Sequence, residues 1–338
     1  MGARVALFEA RDFPRQKVCG EFVSAESLDL LAELLRETPG AEPVLAGAPV
    51  IKQMRLLFGR RVIEVQLSPP GVSITRYDLD ALLWNAAQRA GVQTYPNCEV
   101  TACEGEGPFT LEAGAGRHSA SSVIIAAGRW SLFIGDRTLP AGPKWIGVKA
   151  HFRESNPKPS TDLYFFEGGY CGVQPVAADV INACAMVRSD RATSLGQVFA
   201  LHPRLAERTA RWSALTQPVS TAPLVYRDPQ PVRDKLMFVG DAAAFIDPFV
   251  GDGISIALRS GRLAAEGVME FLLGHVTLEN SIAAYRREYD THFAPLVAAA
   301  ARVRSLFSLP EVAKPAVFEM LRFPGLIPFV IRRTRRAN

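Results

Sequence analysis

The pattern of apolar and polar positions is clearest in residues 235–273, and the rest of the chain is organised around this stretch. A short apolar run, long enough for a buried strand, ends at Gly240 and Asp241. Pro248 then interrupts regular structure. After Gly253, apolar and small residues recur every three or four positions, which predicts a helix with one apolar face. The stretch therefore predicts a buried strand, a loop and a core helix.

Apolar runs between turn residues predict further strands. Residues 4–8 read as a strand, and 54–58 with 62–67 read as a hairpin that ends at the prolines and glycine of 69–71. Four runs without helices between them predict an antiparallel sheet of strands 146–152, 162–166, 171–176 and 180–187. The predicted helices are a short one capped by Ser24, then 80–90, 194–212 broken near Pro203, 278–307 kinked before Pro295, and 311–322; 39–49 is predicted as a connection and 222–226 as a strand.

Composition narrows the class of protein. The chain has 338 residues, enough for two domains, and its 48% hydrophobic and 21% charged residues are ordinary for a globular protein. A net charge of +4 is too small to indicate a nucleic-acid partner. Five cysteines without a CxxC pair or a secretory signal predict reduced thiols in the cytoplasm. No histidine spacing indicates a metal site, and no apolar run of about 18 residues predicts a membrane-spanning helix.

The stretch 235–273 also suits the chemistry of a bound flavin. A carboxylate at a strand end, such as Asp241, can accept hydrogen bonds from the hydroxyl groups of a cofactor. Gly251 and Gly253 let the backbone approach a ring closely, and the following helix N-terminus offers free N–H groups with positive potential. That potential would stabilise the negative charge of a reduced flavin. A strand, loop and core helix without a ligand are the simpler alternative, but the combined spacing favours the flavin.

The run GDAAAFIDPFVGDGISIAL resembles the second FAD motif of the aromatic-hydroxylase-like flavoproteins, which include single-component monooxygenases, flavin-dependent halogenases and geranylgeranyl reductases. The resemblance implies an α/β fold with a Rossmann-type FAD-binding domain, an α+β substrate domain on an antiparallel sheet, and C-terminal helices. The implied domains are residues 1–50, 72–143 and 219–275 for FAD, 51–71 and 144–218 for substrate, and 276–338 for the helices. The implied cofactor contacts are Gly240, Asp241, Pro248, Gly251, Gly253 and Ile254.

The first strand, residues 4–8, ends at Glu9. In dinucleotide-binding folds the second strand ends in an acid that accepts hydrogen bonds from the adenosine ribose, although a surface glutamate is the alternative. A first strand with GxGxxG and a helix should precede it, and we expect roughly 25–35 further residues upstream on this ground. Because those glycines cradle the pyrophosphate, we expect the 338-residue form to bind FAD weakly or not at all.

Residues 13–21 are similar to the RxKxCG segment of the geranylgeranyl-reductase and halogenase-like branch, which lies beside the flavin ring and the pyrophosphate. The resemblance implies that Arg15 and Lys17 screen phosphate charge. Gly20 would permit close approach of the backbone. Cys19 is either a neighbour of the flavin or a small buried residue, and we assign it no catalytic role.

Three more positions follow from the same resemblance. Arg76 with Asp80 matches the family's RxxxD before a helix, in which the arginine faces the FAD diphosphate or adenine side; an ordinary arginine at a helix start is the alternative. Val100 stands where a backbone contact to adenine is expected. Gly128 ends an apolar strand that resembles the family's ADG segment, with Ala127 where the family usually has aspartate.

Residues 170–175 correspond to the YxWxFP-like substrate strand of the reductases. Tyr170 and Pro175 are kept, whereas Gly172 and Gln174 replace the tryptophan and the phenylalanine. We predict that these four residues contact the substrate on the reactive side of the flavin. The two replacements weigh against isoprenoid reduction, and the WxWxIP segment typical of halogenases is not found in this sequence, which weighs against halogenation.

The sequence therefore predicts an FAD-dependent oxidoreductase that acts on a small apolar or aromatic molecule, with NAD(P)H or another donor reducing the flavin. Oxygen activation, and hence a monooxygenase reaction, is favoured over reduction of a carbon–carbon double bond because the reductase motif is altered. An alternative from a different class is a degenerate FAD fold that binds an apolar ligand or partner without turnover.

The C-terminal residues 323–336 are apolar at first and then basic. Such a segment could rest on an anionic membrane surface as a peripheral contact of a cytoplasmic protein. A packed segment with a solvated tail is favoured, because two prolines and a glycine interrupt the apolar run.

Overall fold

The computed structural model describes residues 2–130, 133, 141–221 and 223–307. Its strands are β1 Ala6–Phe8, β2 Phe22–Val23, β3 Val50–Phe58, β4 Arg61–Ser73, β5 Gln93–Tyr95, β6 Val100–Glu104, β7 Phe109–Ala113, β8 Gly116–Ala120, β9 Ile124–Ile125, β10 Trp145–Arg153, β11 Ser160–Phe166, β12 Gly169–Ala177, β13 Val180–Arg188, β14 Ser213–Ala214, β15 Val219–Thr221, β16 Val232–Arg233 and β17 Leu236–Phe238. Its α-helices are α1 Leu28–Leu34, α2 Ala41–Gly47, α3 Arg76–Arg89, α4 Leu195–Ala200, α5 Pro203–Thr209, α6 Gly253–Leu272, α7 Leu278–His292 and α8 Ala294–Phe307.

Within the described residues, nine strands form one mixed sheet in the order β14-β10-β13-β12-β11-β3-β4-β2, with β15 also paired to β10. The four strands predicted in series are confirmed as β10 to β13, and their mutual pairs are antiparallel. Short turns join β11 to β12 and β12 to β13. The β3–β4 hairpin is also confirmed, and it joins the sheet through a parallel pair of β3 with β11.

Side chains alternate along each strand, so this sheet has an outer and an inner face. The outer face carries small apolar residues, such as Val173 of β12 and Ala183 of β13. Helices α4 and α5 cover it with Val198 and Leu205, and all four side chains are buried. Burial of this apolar surface fixes which side of each strand faces the helices, and therefore fixes the strand register.

The inner face lies on the other side and is partly polar. One row across it consists of Lys149 of β10, Cys184 of β13, Gly172 of β12 and Leu163 of β11, each opposite the next. Phe245, from the loop after β17, belongs to the apolar cluster that packs on this face. The inner face therefore meets the part of the chain that carries the FAD-like motif.

That second part combines short parallel strand pairs with helices. Strand β1 pairs with β5 and β17 pairs with β9, both in parallel, while β6, β7 and β8 form an antiparallel meander. Helix α7 packs over β17, where the Tyr285 hydroxyl donates to the Phe238 carbonyl at 2.5 Å. The predicted fold class, a Rossmann-type part with a separate antiparallel-sheet part, is confirmed.

Two local predictions are wrong. Residues 69–71 do not end the hairpin, because β4 continues through them to Ser73. A register shift between Ile51 and Gln53 lets the prolines avoid ladder positions that need an N–H donor. The connection predicted at 39–49 contains helix α2, which begins after Gly40 in the left-handed conformation.

The helix predictions in the second half of the chain are confirmed where the structure describes them. Helices α4 and α5 are separated just before Pro203, and α7 and α8 are separated at Phe293. Residues 223–226 form no strand, and position 222, the helix predicted at 311–322 and the segment 323–336 lie outside the described residues. In the part of the chain that the structure describes, we find no helix of the length and hydropathy needed to cross a bilayer.

Candidate functional site

Asp241 follows β17 in a short 3-10 turn, Gly240–Ala242. The backbone of Gly240 has φ +55°, and a Cβ added there would lie 3.0 Å from the Cβ of Ala257 in α6. The N–H of Gly240 also donates to Ser260 Oγ at 2.9 Å. Glycine is therefore required at this position, because helix α6 passes directly against the end of the strand and thereby fixes the position of Asp241.

The loop between Asp241 and α6 is held by a segment far away in sequence. Gly251 has φ +73°, and its missing side chain leaves room for the ring of Phe22, which a Cβ would approach to 3.2 Å. Ser24 Oγ donates to Asp252 Oδ1 at 2.8 Å and lies 2.5 Å from Ser255 Oγ. Ser24 was predicted to cap the next helix, and this is wrong, because its hydroxyl is used in these contacts with the start of α6.

The predicted basic residues gather at the start of α3. Arg76 donates twice to the Asp80 carboxylate, at 2.8 Å and 2.8 Å, and Lys17 Nζ lies 2.6 Å from Asp80 Oδ2. The Cys19 thiol interacts with the Arg76 guanidinium. The contact of Lys17 with Asp80 thus joins the segment 13–21 to α3, and Lys17 and Arg76 share the one carboxylate.

Glu9 lies at the end of β1, as predicted. Its Oε1 accepts from the Arg11 N–H at 3.0 Å and from Arg15 at 3.2 Å. Among the described residues, Oε2 makes no hydrogen bond. Arg11 and Arg15 thus both donate to the same oxygen of Glu9. Val100 begins β6 and is half-buried, so its backbone lies at a strand start.

Two positive charges act on Asp241, and one of them, Arg129, was not among the predicted site residues. Burial raises the pKa of Asp241, and the charges of Arg129 and Arg76 oppose that shift. Arg129 follows Gly128, donates to Thr221 Oγ1 at 3.0 Å and lies over the ring of Phe245 at 4.5 Å. The sequence signal for Arg129 was its position just after the end of a strand, but the family resemblance points to position 127 instead.

Open space borders two of the predicted cofactor glycines. A Cβ built on Gly20 or on Gly128 would meet no protein atom within 4 Å. At Gly128 φ is +67°, so the backbone conformation also favours glycine. Gly253 is less open, since a Cβ there would lie 3.9 Å from Ile246. Pro248 lies within the loop before α6 and is exposed, and Ile254 is the second residue of α6.

The predicted substrate strand is β12, and only three of its four residues share the inner face. Tyr170, Gly172 and Gln174 alternate along this face, whereas Pro175 lies opposite Ile181, whose side chain belongs to the outer-face cluster. A shared role for all four is therefore wrong, because adjacent residues of a strand point to opposite faces. Gln174 Nε2 donates to Ser73 Oγ at 2.7 Å, and Gly172 lies against Leu163.

An aromatic cluster covers the inner face near Tyr170. Phe165 lies beside Tyr170 with ring centroids 5.8 Å apart, and Phe249 meets Tyr170 edge-on at 6.4 Å. Tyr226 stacks on Phe245 at 5.1 Å in the same cluster. These rings come from four segments of the chain, so sequence spacing alone could not have grouped them. Phe165, Tyr170 and Phe245 are buried in the cluster, and Tyr226 and Phe249 are half-buried.

Asp247 lies beneath this cluster and was not among the predicted site residues. Its carboxylate is buried, and Oδ1 accepts from the Phe249 N–H at 3.1 Å. Burial raises the pKa of Asp247, against the opposing effects of that N–H and of Arg304. Burial and the Asp247 charge also raise the pKa of the Tyr170 hydroxyl well above its usual value. The sequence signal for Asp247 was the dipeptide Asp247-Pro248, which precedes Gly251 and Gly253.

We expect Asp80→Asn to lower the free energy of unfolding at neutral pH. Burial alone would raise the pKa of Asp80, but Arg76 and Lys17 outweigh it, so the folded-state pKa is lower than usual. A carboxylate of this kind adds stability above its unfolded pKa of about 4, and that stability is lost as the pH falls through the folded-state pKa. Urea unfolding should therefore show the two proteins converging in acid. Asp290→Asn, at an exposed carboxylate, is the control, and a gap that does not depend on pH would contradict the assignment.

The chain resembles several proteins along much of its length. It is 24% identical over 301 residues to conditioned medium factor receptor 1 of Dictyostelium discoideum, which covers 80% of this chain and 59% of the relative. It is 23% identical to the flavin-dependent halogenase rdc2 of Metacordyceps chlamydosporia, over 82% of this chain and 62% of the relative. The chain thus spans less than two thirds of the length of these curated relatives. No protein-family model matches the chain.

Several solved structures share the fold of this chain. A flavin-dependent brominase superposes with a TM-score of 0.80 at 22% identity, covering 98% of this chain and 87% of the brominase. The myxobacterial chondrochloren halogenase gives 0.73 at 19% identity, covering 100% of this chain and 86% of the halogenase. A halogenase in complex with phloroglucinol and FAD gives 0.73 at 17% identity, over 90% and 71%. The chain has the fold of the FAD-dependent halogenases.

Proposed function

We propose that the protein is an FAD-dependent oxidoreductase that acts on a small aromatic or apolar molecule. One observation carries the proposal. Asp241 experiences the positive charges of Arg129 and Arg76, and the loop that joins it to α6 contributes Phe245 and Phe249 to the aromatic cluster of the inner face. A carboxylate, free helix N–H groups and cations next to an apolar wall suit a cofactor that has hydroxyls, an anionic diphosphate and a planar ring.

The residues present fit this cofactor. Asp241 would accept hydrogen bonds from its hydroxyl groups, and Glu9 would bind the ribose through its remaining oxygen. Arg76 and Lys17 would offset the charge of the diphosphate. Gly20 and Gly128 border open space where a Cβ would narrow it. When bound, the flavin would supply the redox chemistry, with NAD(P)H or another reductant as the source of electrons.

The aromatic cluster supports the substrate class. Phe165, Tyr170 and Phe249 pack against one another, and a planar ligand would pack in the same way on Phe249, the half-buried ring of the three. The solved halogenase that contains phloroglucinol binds a hydroxylated aromatic ring on the same fold. We therefore favour an oxygen-dependent reaction on an aromatic ring over reduction of an isolated double bond.

Halogenation is the second candidate, and the names of the solved structures with this fold favour it. It would use the same reduced cofactor together with oxygen, as the oxidant, and a halide ion. Without the WxWxIP segment, the sequence gives this candidate no support of its own.

FAD binding is the first test. Titration of the purified chain should quench flavin fluorescence and reach saturation, because the site offers charged contacts to both ends of the cofactor. The bound flavin should then be reduced without oxygen and mixed with oxygen and a set of phenols, with and without bromide, or with alkenes alone. Hydroxylated, brominated or hydrogenated products separate the candidates. Absence of saturable FAD binding even at high FAD concentration, where weak binding should still reach saturation, would contradict the proposed function.

A further inference from the structure

A buried charged cluster lies where residues 16–21 rest on the inner face of the sheet. Glu21, Lys149 and His151 have exposed fractions of only 0%, 1% and 5%. Lys149 Nζ donates to Glu21 Oε1 at 2.5 Å and to Gln16 Oε1 at 2.7 Å. His151 Nε2 lies 2.7 Å from Glu21 Oε2. A buried ion pair gives little net stability over apolar packing, so the cluster calls for another role.

Glu21 joins three parts of the molecule through one carboxylate. Besides its contacts with Lys149 and His151 of β10, its Oε1 accepts from the backbone N–H of Arg76 at 2.8 Å. Arg76 is the first residue of α3, and the positive end of a helix favours a carboxylate there. The Arg76 side chain is meanwhile held by Asp80. Loss of the Glu21 charge would therefore loosen the segment, the strand and the helix start together.

The backbone of this segment is strained and tightly held. Glu21 has φ +64°, a left-handed conformation that costs a residue with a side chain roughly 1–2 kcal/mol. Such strain persists where the surroundings impose it, and it is concentrated at functional sites. Asn182 Nδ2 donates to the carbonyl oxygens of Cys19 and Gly20, both at 2.9 Å. The sheet thus fixes the backbone of the two residues that precede Glu21.

The segment lies in direct contact with the sheet on one side. A Cβ on Gly147 of β10 would come within 2.8 Å of the Val18 side chain, so any residue larger than glycine at position 147 would clash with Val18. Lys17 and Gly20 of the same segment are predicted to contact the cofactor. Lys17 lies at the Asp80 carboxylate, and Gly20 borders open space. The charged cluster therefore holds the segment on the side that faces the sheet, opposite the side predicted to face the cofactor.

We propose that Glu21, Lys149 and His151 are positioning residues that fix segment 16–21 between the cofactor and the sheet, and thereby set the affinity and the environment of the flavin without contacting it. The inference rests on the proposed function, since it needs a bound flavin. It assigns to Lys149 and His151 a role that neither the FAD motif nor the substrate strand suggests.

The test compares buried carboxylates on opposite faces of the same sheet. Glu21→Gln removes the charge that Lys149 faces on the inner face. Asp162→Asn is the matched control, because Asp162 is 1% exposed and accepts from Arg208 at 2.7 Å on the outer face. FAD affinity, the flavin absorption spectrum and the flavin midpoint potential are measured beside thermal unfolding. We expect Glu21→Gln to weaken FAD binding by about tenfold or more and to shift the spectrum and potential.

The control, Asp162→Asn, should unfold at a lower temperature, but its FAD affinity and flavin spectrum should not change. A milder pair keeps the test decisive if Glu21→Gln does not fold. His151→Phe removes one partner of Glu21 and should weaken FAD binding roughly threefold, whereas His151→Gln keeps a donor and should restore it. If the wild type binds FAD and the Glu21 and His151 variants match the Asp162 control, the positioning role is refuted and the proposed function stands. If the wild type binds no FAD, both fall.

Discussion

Asp241→Ala is expected to weaken FAD binding by roughly 10- to 100-fold, because losing a hydrogen bond to a charged group costs about 1.5–3 kcal/mol. Gly240 and its contacts with α6 hold Asp241 at the strand end, so few other groups could take over its role. Removing the carboxylate also leaves Arg129 and Arg76 without its opposing charge. Both effects act on the cofactor site rather than on the packed core.

Fluorescence titration with FAD measures this loss, and thermal unfolding without FAD separates it from a loss of folding. Asp228→Ala is the control, since it removes an exposed carboxylate from the segment before β17. We expect the control to keep its FAD affinity. Wild-type affinity in the Asp241 variant would remove this carboxylate from the cofactor site. A fall in unfolding temperature as large as that of a core variant would instead indicate a structural role.

The parts of the fold that follow from local periodicity could be predicted from the sequence. The serial strands of the sheet and the break at Phe293 each depend on residues close together in the chain. The continuation of β4 through Pro69 and Pro70 could not, because it depends on a register shift in the neighbouring strand. Periodicity predicts that a strand is present, but pairing with the neighbouring strand decides where the strand ends.

The same distinction holds for the site. Asp241 was found because its neighbours in sequence form a recognisable run. Glu21 and Lys149 are 128 positions apart, and only the folded chain brings them together. A weak signal existed, since Lys149 and His151 alternate within an apolar strand and must share one face. Pro175 was misassigned because a motif read as a run of letters ignores that alternation.

Gly240→Ala has the largest expected effect on stability. The residue has φ +55°, where a side chain costs roughly 1–2 kcal/mol. The new Cβ would also lie 3.0 Å from Ala257 Cβ and 3.3 Å from its Cα, and overpacking of this kind costs about 1–3 kcal/mol. We therefore expect the free energy of unfolding to fall by about 2–5 kcal/mol, with α6 displaced from the end of β17.

Two further variants separate the two causes, with all three measured by urea unfolding in the absence of FAD. Gly128→Ala has similar backbone strain, φ +67°, but no atom within 4 Å of the new Cβ, so only the strain term of about 1–2 kcal/mol should appear. Adding Ala257→Gly to Gly240→Ala removes the closer contact, that with the Ala257 Cβ, and should recover part of the loss, less the roughly 0.5–1 kcal/mol that glycine costs inside a helix. Equal losses at Gly240 and Gly128 would show that α6 does not press against the strand end. Recovery in the double variant would establish that the contact with Ala257 fixes Gly240, and with it the position of Asp241.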